Sequence, residues 1–464
     1  MRSNPPRPVQ SLHSIFMPPM DVTIEKLIYG GDGLAHHEGS TVFVPFVLPA
    51  ERVAVSPVEQ KKKFVRARVD KLLAASPQRT TPPCPHFGVC GGCNYQHIPY
   101  EAQAQYKADI LRETLRRIGR IDWTGEIKTH ASPPWGYRNR AQWKIRPPLE
   151  STIGPTQANS ETVGKTVAKL DIGYFRANST ALCAVEECAI LSPLLSKTLL
   201  GLRQALASGA LPRELREIEA FSNESGSEGA PEGEPKLLLT AIFAGFPSRA
   251  AEHAETIRRI VPEAASVLFH DPSHDRMELF GPGFLETEAA GTKYRVGHFS
   301  FFQVNRFLVD DLVRTVCDDE NGRLALDLFA GVGLFSIPLA KRFARVIAVE
   351  SNPAAARDLE VNMRGQSTIE VRTADVERFL ERNKERPEFV VLDPPRDGLA
   401  PNAAKRLGRL QPARITYVSC EPPTLARDLA VLAEAGYECS EIHMFDLFPQ
   451  TFHMETVVRL RRRE

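Results

Sequence analysis

No charge of one sign dominates this chain: 58 lysines and arginines face 57 acids over 464 residues, a formal net charge of +1. A uniform basic coat for nucleic acid is thereby excluded. No apolar run reaches the roughly 20 residues that span a bilayer, and the proline-rich start, Met1–Met20, has no apolar signal core. These absences point to a soluble cytoplasmic protein without a membrane partner. Eight cysteines are too few for a disulfide scaffold at this length, and no internal repeat indicates a solenoid. The length suggests two to four domains, each with its own core.

What is present is unevenly distributed. Residues 1–150 carry 21 lysines and arginines against 13 acids, a net of +8 that leaves −7 for the remainder. A basic front on an acidic back suits a polyanion held from one side. The chain is organised around Leu324–Glu350, LALDLFAGVGLFSIPLAKRFARVIAVE. An apolar strand pattern leads into a tight turn at Ala330–Gly333, a short helical pattern follows, and a second strand ends at Glu350. Gly331 and Gly333 let backbone approach a ligand, and Glu350 is placed to accept both hydroxyls of a ribose. The glycine spacing lacks the full dinucleotide fingerprint, and Asp327 precedes the turn. S-adenosylmethionine therefore fits better than NAD.

Ahead of this unit, residues 1–18 read as a disordered tail and residues 19–75 as short strands of a small OB-like β-barrel. Lys61, Lys62, Lys63, Arg66 and Arg68 crowd its last strand, where they can follow a phosphate backbone or simply protect an edge. The GGDGLA turn and the TVFVPFVLPAERV run resemble a TRAM domain, an RNA-binding barrel. Cys84, Cys90 and Cys93 follow at C-x5-C-x2-C spacing. Three soft ligands so close suit an iron–sulfur cluster, with Gly91 and Gly92 presenting amides to the sulfides, or a zinc ion. Either needs a fourth ligand, best supplied by Cys188 and next by Cys183. Residues 100–118 form an amphipathic helix with Lys107, Arg112, Arg116 and Arg117 on its polar side. Gly136–Arg146 interleaves aromatic and basic residues, suited equally to stacking bases and to a half-exposed strand. Two polar stretches, 150–166 and the acidic 222–235, read as loops, and the segments between and after them predict an antiparallel sheet with helices on one face.

From about Thr292 the pattern turns α/β. Gln303 and Asn305 precede a helix over 308–316 and can face the cofactor, or Asn305 can cap that helix. Phe329, Glu350, Asp375, Asp393 and Cys420 all fall at the carboxyl ends of predicted strands, where open α/β sheets bind ligands. A cysteine beside S-adenosylmethionine is unnecessary for methylating oxygen or nitrogen, but an unactivated pyrimidine carbon needs one. Thiolate addition at C6 of uracil turns C5 into a nucleophile that takes the methyl group, after which a base removes the C5 proton. Cys420 suits the nucleophile, Glu455 the base, and Asp393 a contact to ring or cofactor.

Gln303 and Asn305, DLFAGVG at 327–333, DPPRDGL at 393–399, SCEPPTLARDL at 419–429 and the terminal FPQTFHMETVV together resemble the RNA 5-methyluridine methyltransferase family of TrmA/RumA type. The resemblance implies Cys420 as nucleophile and Glu455 as base, with Gln303, Phe329, Glu350 and Asp393 holding cofactor or target base and Asp375 the adenine. It further implies Cys84, Cys90, Cys93 and Cys188 as ligands of a 4Fe-4S cluster. Three parts follow: the TRAM barrel, a central α+β iron–sulfur and RNA-recognition domain over 76–290, whose helix 100–120 can pack on the catalytic part, and a Rossmann-like methyltransferase over 291–464. The expected activity forms 5-methyluridine in 23S ribosomal RNA, with tRNA as the alternative substrate and a non-catalytic iron–sulfur RNA-binding protein as the alternative class. A DNA-base amino-methyltransferase would carry an aromatic where Arg396 stands. Three residues depart from the family pattern. Leu334 follows the glycine turn where Asn is frequent, Glu421 follows the nucleophile and should raise its pKa unless Arg427 or another cation offsets it, and Gln450 replaces a frequent His. A monomer is expected.

Overall fold

The computed structural model describes residues 18–147, 170–226 and 234–463. Residues 1–17, the whole of the polar stretch 150–166 and residues 227–233 of the second stretch lie outside the described residues. The chain divides into two compact units, residues 1–81 with 97–99, and residues 82–96 with 100–464.

The first unit is one six-stranded sheet of β1 (Met20–Thr23), β2 (Lys26–Leu27), β3 (Gly33–His37), β4 (Ser40–Val44), β5 (Arg52–Gln60) and β6 (Phe64–Ala74), in the order β1-β5-β6-β4-β3-β2. Alternation puts Val22, Ile24, Val42, Val44, Val53, Val55 and Ala67 into its own small core. Glu51, fully buried, accepts from Arg79 Nε at 2.6 Å and Nη2 at 2.8 Å, so the charge is paired rather than stranded. Lys61–Lys63 form the turn between β5 and β6, and β6 starts at Phe64. Arg66 pairs with Asp32 at 3.0 Å and Arg68 with Asp70 at 3.3 Å.

The second unit begins with the cysteine loop, α1 (Tyr100–Arg117) and β7 (Ile127–His130). Its central sheet holds β8 (Arg140–Arg146), β9 (Asp171–Phe175), β10 (Leu182–Ala184), β11 (Leu215–Ser222), β12 (Leu237–Phe243), β13 (Ala264–Asp271) and β14 (Arg276–Phe280), with α2 (Pro193–Ala207) and α3 (Ala250–Ile260) packed against it. The expectation of a wholly antiparallel sheet fails at one pair: β12 and β13 run parallel because α3 carries the chain back between them. In β8 the partners of the aromatic and basic side chains decide between strand and stacking surface. Trp143 is fully buried, donating Nε1 to Tyr174 at 3.1 Å, and Arg140 is bound to Glu219 at 2.7 Å while Lys144 pairs with Glu217, so this strand is not a stacking platform.

A hairpin of β15 (Phe284–Ala289) and β16 (Thr292–Gly297) leads to α4 (Val309–Cys317) and the main sheet. That sheet is built from β17 (Gly322–Leu328), β18 (Phe343–Glu350), β19 (Ile369–Thr373), β20 (Phe389–Leu392), β21 (Arg414–Ser419), β22 (Tyr437–Phe445) and β23 (Glu455–Arg462). Between them lie α5 (Ser336–Ala340), α6 (Pro353–Asn362), α7 (Val376–Arg382), α8 (Ala403–Leu410) and α9 (Pro422–Glu434). The strand order is β19-β18-β17-β20-β21-β23-β22-β7. β17 to β21 are parallel; the central β20, FVVL, is apolar and buried throughout, whereas β19 at the sheet edge, IEVRT, alternates. The last strand of the series is β7, from far upstream: it pairs in parallel with β22, and His130 stacks on Phe445 with centroids 3.9 Å apart. Above it α1 packs on α9. Lys107 does not lie on the polar side of α1; it is fully buried and donates to Asp446 at 2.6 Å.

Candidate active site and cysteine cavity

Strand register assembles the main site. Leu328 pairs with Val349 and Leu392, Leu392 with Tyr417, and Ser419 with Thr456. The residues that follow β17, β20 and β21, namely Phe329, Asp393 and Cys420, therefore share one edge of the sheet with Glu350 and with Glu455 at the start of β23. Asp393 N donates to Leu328 O at 3.3 Å, which sets it beside Phe329. Asp375 follows β19 and caps α7 by accepting from Arg378 N at 3.1 Å.

The turn after β17 is conformationally demanding. Phe329 has φ +66°, a left-handed backbone unusual for a ring side chain, and Gly331 and Gly333 follow at +56° and +95°. A Cβ at Gly333 would lie 2.6 Å from Leu359, so the missing side chain there also serves helix packing. Glu350 is nearly buried, with Oε2 accepting from Gly331 N at 2.8 Å and Oε1 from Asn352 N at 2.6 Å. Each oxygen keeps a lone pair for a further donor. Leu334 is buried in the core, and its carbonyl accepts from Tyr294. Asn305 is fully buried and does not cap α4, whose N-cap is Leu308. Its Oδ1 accepts from Phe307 N at 3.0 Å and its Nδ2 donates to Leu447 O at 3.1 Å. Gln303 is buried in the segment that binds the start of β8 through Asn139 N and Val304 O.

Four acids, Asp327, Glu350, Asp393 and Glu455, gather at this edge, and their electrostatics favour a cation. Burial pushes the Asp327 carboxyl up to about 7, with Glu350 adding to the shift. Burial and then Asp327 push Asp393 up; burial and then Asp393 push Glu455 well up, with Arg396 opposing. Asp327 Oδ1 and Glu455 Oε1 are buried with no hydrogen-bond partner among the described residues. A sulfonium with an adjoining ammonium would relieve this repulsion, so the donor set fits S-adenosylmethionine. The Cys420 thiol is pushed up to about 12, by burial first, then Glu455 and Asp393. Arg396 opposes this, and Glu421 is only a lesser cause. Arg427 binds Asp428 and the carbonyls of Asp397 and Leu399, so the other cation, Arg396, is the one that offsets the thiol's shift.

The sequence reading missed a set of residues that fix the Asp393–Leu399 loop to α9. Asp428 Oδ2 accepts from Leu399 N and Tyr417 OH, both at 2.7 Å, and Thr424 Oγ1 donates to Arg396 O at 2.9 Å. A buried acid nearly two turns into a largely apolar helix, Asp428, was the available signal.

The second constellation lies in the same unit. Cys84, Cys90, Cys93 and Cys188 line a cavity of about 130 Å³ with Arg138, Tyr174 and Ile190. Cys183, on β10, is not among its lining residues. Gly92 N donates to Cys90 Sγ at 3.4 Å, whereas Gly91 N is taken by Phe175 O at 3.0 Å, so one amide rather than two is aimed at sulfur. Burial pushes Cys90 and Cys93 up to about 12. Among the described residues no three His, Cys, Asp or Glu side chains converge on one ion-sized point. Four thiols lining one cavity are a donor set suited to a soft metal centre, zinc or iron–sulfur alike.

A parallel sheet with a strained glycine turn, an acid closing the second strand and an acidic, cation-seeking edge define a class I S-adenosylmethionine-dependent methyltransferase. Comparison with known proteins narrows the class. Residues 284–463 match the tRNA (uracil-5-)-methyltransferase family model. The chain is 33% identical over 450 residues to a 23S rRNA (uracil(1939)-C(5))-methyltransferase RlmD of Klebsiella pneumoniae, covering 95% of each. It is 32% identical over 456 residues to an uncharacterized RNA methyltransferase of Aquifex aeolicus, covering 95% of this chain and 98% of that one. The structure is similar to the Pyrococcus abyssi tRNA (uracil-54, C5)-methyltransferase in complex with S-adenosyl-L-homocysteine, with TM-score 0.69, 26% identity, and coverage of 95% of this chain and 100% of that one. The chain belongs to the RNA uracil-C5 methyltransferase family.

Proposed function

We propose that this enzyme forms 5-methyluridine in 23S ribosomal RNA, with Cys420 as nucleophile and Glu455 as base. One observation carries the reading: antiparallel register of β21 and β23 pairs Ser419 with Thr456, which sets Cys420 beside Glu455 at the end of the acidic strand edge. Cys420 Sγ bonds to C6 of uracil and makes C5 nucleophilic. S-adenosylmethionine supplies the methyl group. Glu455 then takes the C5 proton, the C5–C6 double bond re-forms, and the electron pair of the S–C6 bond returns to Sγ. Glu350, Phe329, Gly331, Gly333, Asp375, Asp393 and Gln303 are the residues proposed to hold the cofactor or target ring. The raised proton affinity of Glu455 makes it a stronger base than a solvated carboxylate. Because C5 and C6 are both attacked, the uridine must leave its stack to react.

Cys84, Cys90, Cys93 and Cys188 are proposed to hold a 4Fe-4S cluster, and the residue 20–74 sheet to bind RNA as a TRAM domain. The higher identity with the ribosomal RNA relative, 33% against 26% for the tRNA enzyme at the same 95% coverage of this chain, supports that substrate over tRNA.

The test is tritium release from 5-tritiated uridine in 23S ribosomal RNA and tRNA transcripts with S-adenosylmethionine. Release from ribosomal RNA that vanishes in Cys420→Ala, with a methylated protein–RNA adduct trapped in Glu455→Gln, is expected. Release from tRNA alone overturns the substrate, and no release from either overturns the chemistry.

A further inference from the structure

The loop between β22 and β23, residues 446–454, delivers the chain to Glu455, and its anchors come from the front of the same unit. Lys107 Nζ donates to Asp446 Oδ1 at 2.6 Å and to Phe448 O at 3.1 Å. Tyr137 OH donates to Pro449 O at 3.0 Å. Asn94 N and Tyr95 N, the two amides directly after Cys93, both donate to Gln450 O at 3.0 Å. Gln103, fully buried on α1, closes the circuit. Its Nε2 donates to Tyr95 O at 3.2 Å and to Gln450 Oε1 at 2.9 Å, and its Oε1 accepts from Gln450 N at 2.9 Å. Gln450 is thereby held at φ +69°, a left-handed backbone that an unrestrained glutamine rarely adopts.

The buried Gln103 side chain, together with the backbone amides of Asn94 and Tyr95, thus joins the segment after the last cysteine of the loop to a strained residue five positions before the base. The nucleophile has separate supports: Cys420 sits between β21 and α9, whose fastening runs through Tyr417, Thr424 and Asp428. Resting on the uracil-C5 reading above, we propose that Gln103 is a positioning residue that couples cluster occupancy in the cysteine cavity to the placement of Glu455. Loading the cavity fixes Asn94 and Tyr95, Gln103 and Gln450 carry that order to the base, and the step governed is proton removal from C5. Thiolate addition and methyl transfer, which use Cys420, are left in place. When the coupling is broken, methylated RNA stays joined to Cys420 because the C5 proton is not removed and the S–C6 bond cannot open.

The experiment compares anaerobically purified wild type with Gln103→Leu, a side chain of similar volume without the amide. In the variant, hydrogen exchange over residues 447–454 should speed by about tenfold or more while iron content is unchanged. On 23S ribosomal RNA, kcat should fall about tenfold with KM within about twofold, and the denaturation-stable methylated adduct should accumulate. Wild type stripped of iron by a chelator should show the same exchange increase over 447–454, and stripping the variant should add nothing further. Should Gln103→Leu not fold, Gln450→Asn tolerates the left-handed backbone and removes only the reach to Gln103, with the same signs expected. Unchanged exchange over 447–454 after both substitution and stripping, or a lost rate without adduct, overturns the coupling. Failure of wild type to release tritium overturns the chemistry instead, and the exchange comparison still decides whether cavity and loop are linked.

Discussion

At the scale of single residues the site is governed by charges that burial forces together. Arg396 is the cation that opposes the upward shifts of both Cys420 and Glu455. Removing it raises both groups further, so the thiolate fraction at a given pH falls. Arg396→Gln should therefore lose about 10- to 100-fold in kcat/KM at neutral pH and regain part of it as pH rises, a profile measured from about pH 6.5 to 9.5. Asp327 gives a second pH signature. Its folded-state value of about 7 exceeds the unfolded value of about 3.9, so the folded protein binds the proton more tightly. The stability this contributes is full below about pH 4 and lost as pH rises through about 7, on the order of a few kcal/mol. A bound cation prefers the ionised acid, so the rise in Tm caused by S-adenosylmethionine should be larger at about pH 8 than at about pH 5.5. Strand-end acids and Cys420 were legible in the sequence because apolar runs mark where strands stop. Arg396, Thr424 and Asp428 acquire their partners only through packing of α9 on the neighbouring loop, which spacing along the chain does not encode.

At the scale of elements, α1 shows how far a helical pattern can mislead. A lysine at position 107 belongs outside by composition, yet Lys107 and Asp446 are both fully shielded and meet across 339 positions of sequence. Breaking a buried pair strands the remaining charge, so Lys107→Met should cost about 3–5 kcal/mol in urea unfolding. Pairing it with Asp446→Leu should restore most of that loss, because no charge is then left unpartnered. The alternation in β8 was equally visible, but its meaning was not. Only Glu217 and Glu219 of the adjacent strand show that its basic side chains are already engaged. Parallel pairing of β12 with β13 was hidden for a similar reason, since apolar runs do not state direction and α3 does.

At the scale of the whole molecule, the residue 20–74 sheet has a core of its own, whereas residues 100–130 contribute a helix and a strand to the body that holds the catalytic edge. A protein lacking residues 1–75 should bind S-adenosylmethionine with unchanged affinity by calorimetry. Its affinity for ribosomal RNA should fall, and the slope of log K against log salt should flatten by about one for each phosphate that the missing sheet would have neutralised. A cut at the boundary that sequence composition suggested for the methyltransferase part, near residue 291, should instead give an insoluble fragment, because it removes β7 and α1 from the sheet and from α9.

The placement of β7 also bears on how the polypeptide is made. His130 meets His443 across 313 positions, and the strand carrying His130 leaves the ribosome long before β22 exists. At about 5–20 residues per second, that interval is roughly 15–60 s. Throughout it, an unpaired strand edge and the helix bearing Lys107 wait for partners not yet translated, while β8 to β14 can fold between them. Nascent chains stalled before residue 437 should therefore be avid clients of chaperones that shield strand edges, and release from those chaperones should coincide with translation of the final hairpin.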